Sequence, residues 1–203
     1  MMFTHVWGLM TKPEQAWSVL RDTPPRILSL YLGRVIWLAA IPALCTYYGT
    51  TTVGWQLPGS DMVTRLSQDS ARSMAILAWL AMLAGIAIMG WAIQWMSQTF
   101  NTKTDLSHCI TFSSYAALPL FFAGICGLYP SLWLLMSVSI LAASVSAWLL
   151  YTGLPIYMGI PREQGFLYAS SILCIGLVVL VSLMIITVIF WGMGVGPEYV
   201  QGS

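Results

Sequence analysis

The sequence predicts an all-α polytopic membrane protein: a bundle of five transmembrane helices preceded by a short amphipathic interfacial helix. Three observations predict it. Five apolar stretches fill most of the 203 residues. Only 7% of the residues are charged and 58% are hydrophobic, with a mean hydropathy of +0.79. A hydrocarbon core about 30 Å thick takes roughly 20 helical residues, and apolar runs of that length recur from Ile27 to Gly196.

The same composition excludes several classes of function. A formal net charge of +1 offers no electrostatic case for nucleic acid or for an acidic partner surface. No stretch outside the spans is long enough to bury a core of its own, so no separate soluble domain is expected. The first long apolar run starts near Ile27 with no small-residue cleavage site after it, which argues against a cleavable signal peptide. The chain divides into a cytoplasmic N-terminal segment (1–26) carrying the interfacial helix, a five-helix membrane domain (27–196) and a short C-terminal tail (197–203). Gly202 and Ser203 at its end read as an expression scar.

The first element is a helix start at Thr11, Lys12, Pro13 and Glu14. Thr11 caps with its hydroxyl, Pro13 sits in the first turn where no donor is lost, and Glu14 closes a capping box. The helix runs to about Asp22. Pro13, Ala16, Trp17 and Leu20 share one face, and Lys12, Glu14, Gln15, Ser18 and Arg21 cover the other. Such a helix lies in the membrane interface with Trp17 as anchor, or docks on the protein's own bundle; the pattern allows both. Thr23, Pro24 and Pro25 then stop the helix.

Span one covers about 27–48 with Pro42 inside it, span two 72–97, span three 107–128, span four 131–151 and span five 167–193. Only Tyr129 and Pro130 join spans three and four, which makes them an antiparallel hairpin. Orientation follows from the basic residues. Lys12, Arg21, Arg26, Arg34, Lys103 and Arg162 fall on one side, and Arg65 and Arg72 on the other. This places the N-terminus in the cytoplasm and the C-terminus outside it.

Small residues mark expected helix contacts, because close backbone approach drives association in lipid. Ser139, Ala143 and Ala147 in span four, and Ala81 and Gly85 in span two, recur at every fourth position and should be buried against other helices. Trp79, Trp91 and Trp95 are expected toward lipid or at its borders.

Chemistry-bearing residues are sparse. His5 and His108 are far apart with no second ligand at helical metal spacing, and Cys45, Cys109, Cys126 and Cys174 lie on separate spans without a CxxC pair. They read as apolar fillers, without a disulfide or redox role. No nucleophile elbow, zinc-protease or phosphate-loop motif occurs, so an enzyme is not expected, and neither is a cofactor or metal. Arg34 is the one charge inside a span; it either faces the bundle as a functional group or snorkels to the headgroups. The richest cluster of special residues is the fourth connection, Tyr151 to Gly165, with Gly153, Pro155, Gly159 and Pro161. Apolar yet rich in helix breakers, it reads either as a non-helical loop, packed on protein or at the cytoplasmic interface, that docks a partner or lines a ligand, or as a tight turn between two spans.

Tyr115 and Pro119 four apart in span three, and the run from Leu149 to Pro155 (Leu-Leu-Tyr-Thr-Gly-Leu-Pro), carry a resemblance when taken with the five spans and the Pro-Glu helix start. In this order the chain resembles the Yip family of integral membrane proteins, and within it the small bacterial inner-membrane branch of YohC-like proteins. The likeness runs from His5-Val6-Trp7-Gly8-Leu9 to Trp191-Gly192. It implies a multi-pass protein of the bacterial inner membrane. Eukaryotic members are linked to Rab-type small GTPases and vesicle traffic, largely through longer cytoplasmic N-terminal regions. This chain is short there and lacks their acidic Asp-Leu-Tyr-Gly-Pro type motif, which leaves GTPase binding outside what the resemblance implies.

The functional expectation is a non-catalytic membrane adaptor or organiser acting through its cytoplasmic face. The alternative is a small transporter, channel or lipid-handling protein, with Pro42 and Pro119 as helix breaks and Ser113, Ser114, Tyr115 and Arg34 lining a path. Candidate functional residues are Trp17, Arg34, Tyr115, Pro119, Tyr151, Gly153, Pro155, Gly159 and Pro161. Expected partners are the lipid bilayer, a membrane or cytoplasmic protein, or a second copy of the chain; nucleic acid is not among them.

Overall fold

The computed structural model describes residues 13–23, 33, 35–56, 62–100, 102, 104–194 and 196–201, and most of these are helical. Helix α1 (Pro13–Asp22) opens them. The predicted cap at Thr11, the turn at Pro24 and Pro25, and Arg34 lie outside the described residues. Helix α2 (Ile36–Tyr48) runs through Pro42 without a break and widens into a π-type turn, Gly49–Val53. That turn leaves carbonyls without their usual partners, and the threonine run answers them. Thr50 and Thr51 each donate a hydroxyl hydrogen bond of 2.8 Å to the carbonyls of Thr46 and Tyr47, and Thr52 donates to Tyr48.

Helix α3 (Gln68–Ser97) is capped by Ser67, whose hydroxyl accepts from the Ser70 amide at 3.3 Å. Span three is one path in three pieces: α4 (Leu106–Ala116), α5 (Leu118–Ala123) and a 3₁₀ turn, Gly124–Leu128. The step falls at Ala117, with Pro119 in the first turn of α5, where its missing amide costs no hydrogen bond. After Tyr129 and Pro130 the chain reverses into α6 (Leu132–Met158), and then into α7 (Arg162–Gly192). Among the described residues four helical segments are long and apolar enough to cross a membrane: Gln68–Ser97, Leu106–Leu128, Leu132–Met158 and Arg162–Gly192.

The fourth connection is a tight turn, which overturns the non-helical reading of Tyr151 to Gly165. Helix continues through Gly153 and Pro155 to Met158, and only Gly159, Ile160 and Pro161 separate α6 from α7. Gly159 takes the left-handed conformation (φ 67°) that ends a helix, and the Ile160 amide closes back on the Pro155 carbonyl at 3.0 Å. Glycine and proline are tolerated inside membrane helices where neighbouring protein packs against them, as it does here.

A small antiparallel sheet is an addition to the all-α expectation. Strands β1 (Trp55–Gln56), β2 (Val63–Leu66) and β3 (Tyr199–Gln201) lie in that order, with Trp55 opposite Thr64 and Leu66 opposite Tyr199. Within the C-terminal tail, Tyr199–Gln201 is therefore a strand. Further bonds tie it to the start of α3, among them Ser67 N to the Glu198 carbonyl at 2.8 Å and Ser70 Oγ to the Gly196 carbonyl at 2.9 Å.

The bundle thus has an α1 end, with the α3–α4 connection and the α6–α7 turn, and a sheet end. One core cluster joins Trp17, Ile93, Phe112, Leu154, Tyr168 and Ile172 toward the α1 end; a second, smaller one holds Val35, Ala39, Ile86, Ile110 and Phe121. The expected small-residue faces are not the contacts: Ser139 and Ala143 are exposed, and a Cβ on Gly85 would meet nothing within 4 Å. Close approach happens at other glycines. A Cβ on Gly124 would lie 2.1 Å from Pro42 Cβ, one on Gly90 2.5 Å from Ile110, and one on Gly165 2.6 Å from Pro155 Cβ. Spacing by fours does not select them, because each is notched for one particular neighbour. Trp91 and Trp95 do face outward, whereas Trp79 is half-buried and donates its indole N–H to the Ile36 carbonyl at 3.1 Å.

Candidate functional site

The α1 end gathers the largest share of the candidate residues. Helix α1 lays its apolar face on the bundle: Ala16, Trp17 and Leu20 are buried, while Glu14, Gln15, Val19, Arg21 and Asp22 are exposed. Trp17 is fully buried, so it is a core residue and not an anchor in lipid. Its ring stands 4.7 Å from Phe112 and meets Tyr157 edge-on at 5.9 Å, the separations aromatic pairs favour. Gly153 makes the seat, since a Cβ there would come within 2.4 Å of the indole. The indole N–H has no acceptor among the described residues.

Around this seat, buried tyrosines tie neighbouring helices through backbone carbonyls. Tyr157 donates from α6 to the His108 carbonyl of α4 at 3.1 Å, and Tyr168 donates from α7 to the Ile93 carbonyl of α3. Phe100 stacks on Tyr168 at 4.6 Å. Phenol hydroxyls suit this work because a buried Tyr must find a partner and a helix-face carbonyl has a spare lone pair. Tyr151, half-buried, bonds Ser170 across the α6–α7 pair at 2.9 Å, and Tyr115 is buried in the same cluster as Trp17.

The polar rim is electrostatic. Arg162, just past the turn, pairs with Glu14 of α1 at 3.1 Å, and Arg21 reaches the Ile156 carbonyl at 3.3 Å while contacting Asp22 at 3.2 Å. These groups are exposed, so each ion pair contributes at most about 1 kcal/mol. Asp105, before α4, has its carboxyl held below the usual carboxylate range, chiefly by the Ser107 hydroxyl that donates to it.

Of the nine candidates, Trp17, Tyr115 and Gly153 meet in one core, with Tyr151 beside it, and Pro155 packs on Gly165 of α7. Gly159 and Pro161 form the turn that carries the rim. Pro119 stands apart at the α4–α5 step. Phe112, Tyr157 and Tyr168 were not singled out by the sequence, where aromatic residues in apolar runs look alike; the one usable signal was Gly153 followed by Pro155 inside a helix-long apolar run. Ser113 and Ser114, candidates for a path, are buried with their hydroxyls engaged by the Ile86 and Ile110 carbonyls at 3.4 and 2.7 Å.

Comparison with known proteins agrees with this architecture. Residues 7–183 match the Yip1 domain. The chain is 39% identical over 191 residues, 94% of this chain and 97% of the relative, to the inner membrane protein YohC of Escherichia coli strain K12. The same figures hold for YohC of Escherichia coli O6:H1. No solved structure matches the chain significantly. With the domain match spanning most of its length and apolar helices of membrane-crossing length, this chain belongs to the Yip1 domain family of multi-pass membrane proteins.

Proposed function

We propose that the protein is a non-catalytic adaptor or organiser of the bacterial inner membrane, meeting its partners through the polar surface that α1 and the α6–α7 turn make together. The observation that carries this reading is the join between them. An amphipathic helix is held by its apolar face, so Glu14, Gln15, Arg21 and Asp22 point outward beside Arg162, Glu163 and Gln164. Rigidly presented polar side chains over a fixed core suit recognition, since little ordering entropy is left to lose on binding.

In this reading the chain crosses five times. The first crossing, expected over 27–48, includes α2, and the close packing of α2 on α3 and on the Gly124–Leu128 turn supports it. The α1 end faces the cytoplasm, supported by Arg21 and Arg162 at that end and by the wider excess of Lys and Arg in the segments assigned there; the C-terminus is then periplasmic. The likeness to an E. coli inner membrane protein supports the location. Transport is favoured less, because the Ser113 and Ser114 hydroxyls are already engaged within the bundle.

The test is site-specific photo-crosslinking in intact cells from Gln15 and Glu163, with Ile185 on α7 as a lipid-facing control. A discrete protein adduct shared by the first two positions and missing at the third is expected. Adducts that do not differ among the three positions would overturn the reading.

A further inference from the structure

Helices α2 and α3 enclose a groove of about 310 Å³ on the outer face of the bundle near the sheet end. Its floor is small on both sides, Ala40 and Ala43 from α2 and Ala75 from α3, and Leu44, Ile76 and Trp79 wall it. The Trp79 bond to the Ile36 carbonyl ties the two helices across the deep end. A second chamber of about 240 Å³ shares Ala43, Tyr47 and Ala75 with it and continues toward Ala78 and Met82. At the mouth stands Arg72, exposed and without an ion pair among the described residues. Asp69, one turn earlier, lines a different, polar hollow with Ser70 and Glu198.

The depth of these groups is set by helix length. Helix α3 has 30 residues. At about 1.5 Å per residue it outruns a hydrocarbon core of about 30 Å by several residues at each end, which puts Arg72 at headgroup level. Trp79 lies two turns deeper, about 10 Å into the core. Cation at the interface and an alanine-floored channel below it repeat, in order, the polar and apolar parts of a phospholipid. A guanidinium pairs with a phosphate diester through two parallel N–H bonds, and an apolar channel open to a bilayer gains dispersion contacts when a flexible chain fills it.

We propose that this groove is a binding site for one anionic phospholipid of the leaflet at the sheet end, its phosphate on Arg72 and an acyl chain between α2 and α3. The site stands apart from the adaptor reading: lipid retention reports on one, and crosslinks at the α1 end on the other.

The test is native mass spectrometry of the full chain with phosphatidylglycerol and phosphatidylcholine of identical acyl chains. Wild type should retain phosphatidylglycerol about fivefold over phosphatidylcholine, the scale of one cation near a membrane surface. Arg72→Gln should bring that ratio close to one, and Arg65→Gln, exposed on β2 at the same end, should leave it unchanged. Ala75→Phe, which fills the channel, should lower retention of both lipids. Equal retention of the two lipids by wild type, or an unchanged preference in Arg72→Gln, overturns the proposal. So does a wild-type dimer that carries no lipid and is lost in Ala75→Phe, since the groove would then seat a second copy. Arg72 is exposed, so its variant stays informative even where Ala75→Phe does not fold.

Discussion

The two ends of α6 and α7 are held by different means. Near their shared turn, Leu154, Tyr168 and Ala169 are completely buried and Ile172 is 1% exposed. Toward the sheet end, every side chain of α7 from Met184 to Trp191 is exposed, on all faces of more than two helical turns, and so are Leu132, Trp133 and Ile140 at the other end of α6. The exposed half of α7 is the more apolar in sequence, with only Ser182, Thr187 and Gly192 interrupting Leu177 to Gly192, whereas the half beside the turn begins with Arg162, Glu163 and Gln164. Lipid tails are as apolar as leucine, so hydrophobicity alone does not draw membrane helices together, and what differs between the halves is fit. The α1 end has glycine seats for Trp17 and Pro155 and phenol-to-carbonyl bonds between helices. Among the described residues the sheet end has no comparable seat on α7; its tie is the strand β3, paired with β2 outside the apolar helices.

The largest expected effect is at Trp17. Trp17→Ala should lower stability by about 3–5 kcal/mol, read from thermal unfolding in detergent, whereas Ile185→Ala on the exposed half of α7 should stay within about 0.5 kcal/mol. Similar losses at both positions would erase the contrast. Next comes the glycine notch. Gly165→Ala forces a methyl against Pro155 and should cost about 1–3 kcal/mol. Gly85→Ala, with open space around it, should instead stabilise by about 0.5–1 kcal/mol. A neutral Gly165→Ala would mean the α6–α7 turn is looser than its packing implies.

The smallest effect concerns Asp105, whose carboxyl is held below its ordinary range by Ser107. Its folded value lies below the unfolded one, so its contribution is present above the usual carboxylate range, near pH 4, and is lost as pH falls through the lowered value. The thermal midpoint of the wild type should therefore fall more steeply between about pH 5 and pH 3 than that of Asp105→Asn. Parallel curves would show that the Ser107 contact does not persist in solution.

Crossing lengths were legible because a bilayer imposes one requirement on every span, about 20 apolar residues, and runs such as Leu167 to Met193 meet it regardless of their neighbours. The buried face of α1 follows a local pattern too, since Ala16, Trp17 and Leu20 recur at the helical period. What the face touches was not. Trp17 meets Phe112, Gly153 and Tyr157, residues far along the chain and unremarkable in an apolar run, so nothing local distinguishes docking on protein from lying on lipid. Gly153 and Pro155 were read as breaking a helix that in fact runs through them, because propensity is local and the packing that overrides it is not. The pairing of Leu66 with Tyr199 likewise joins two short polar-flanked segments whose strand character exists only once α3 and α7 bring them side by side. The sequence alone thus determined a helical, multi-pass membrane chain and its family likeness, as both are written in composition and order. Only the tertiary structure decided which end is locked, which is open and where a groove remains, because those depend on the fit of one side chain into one notch.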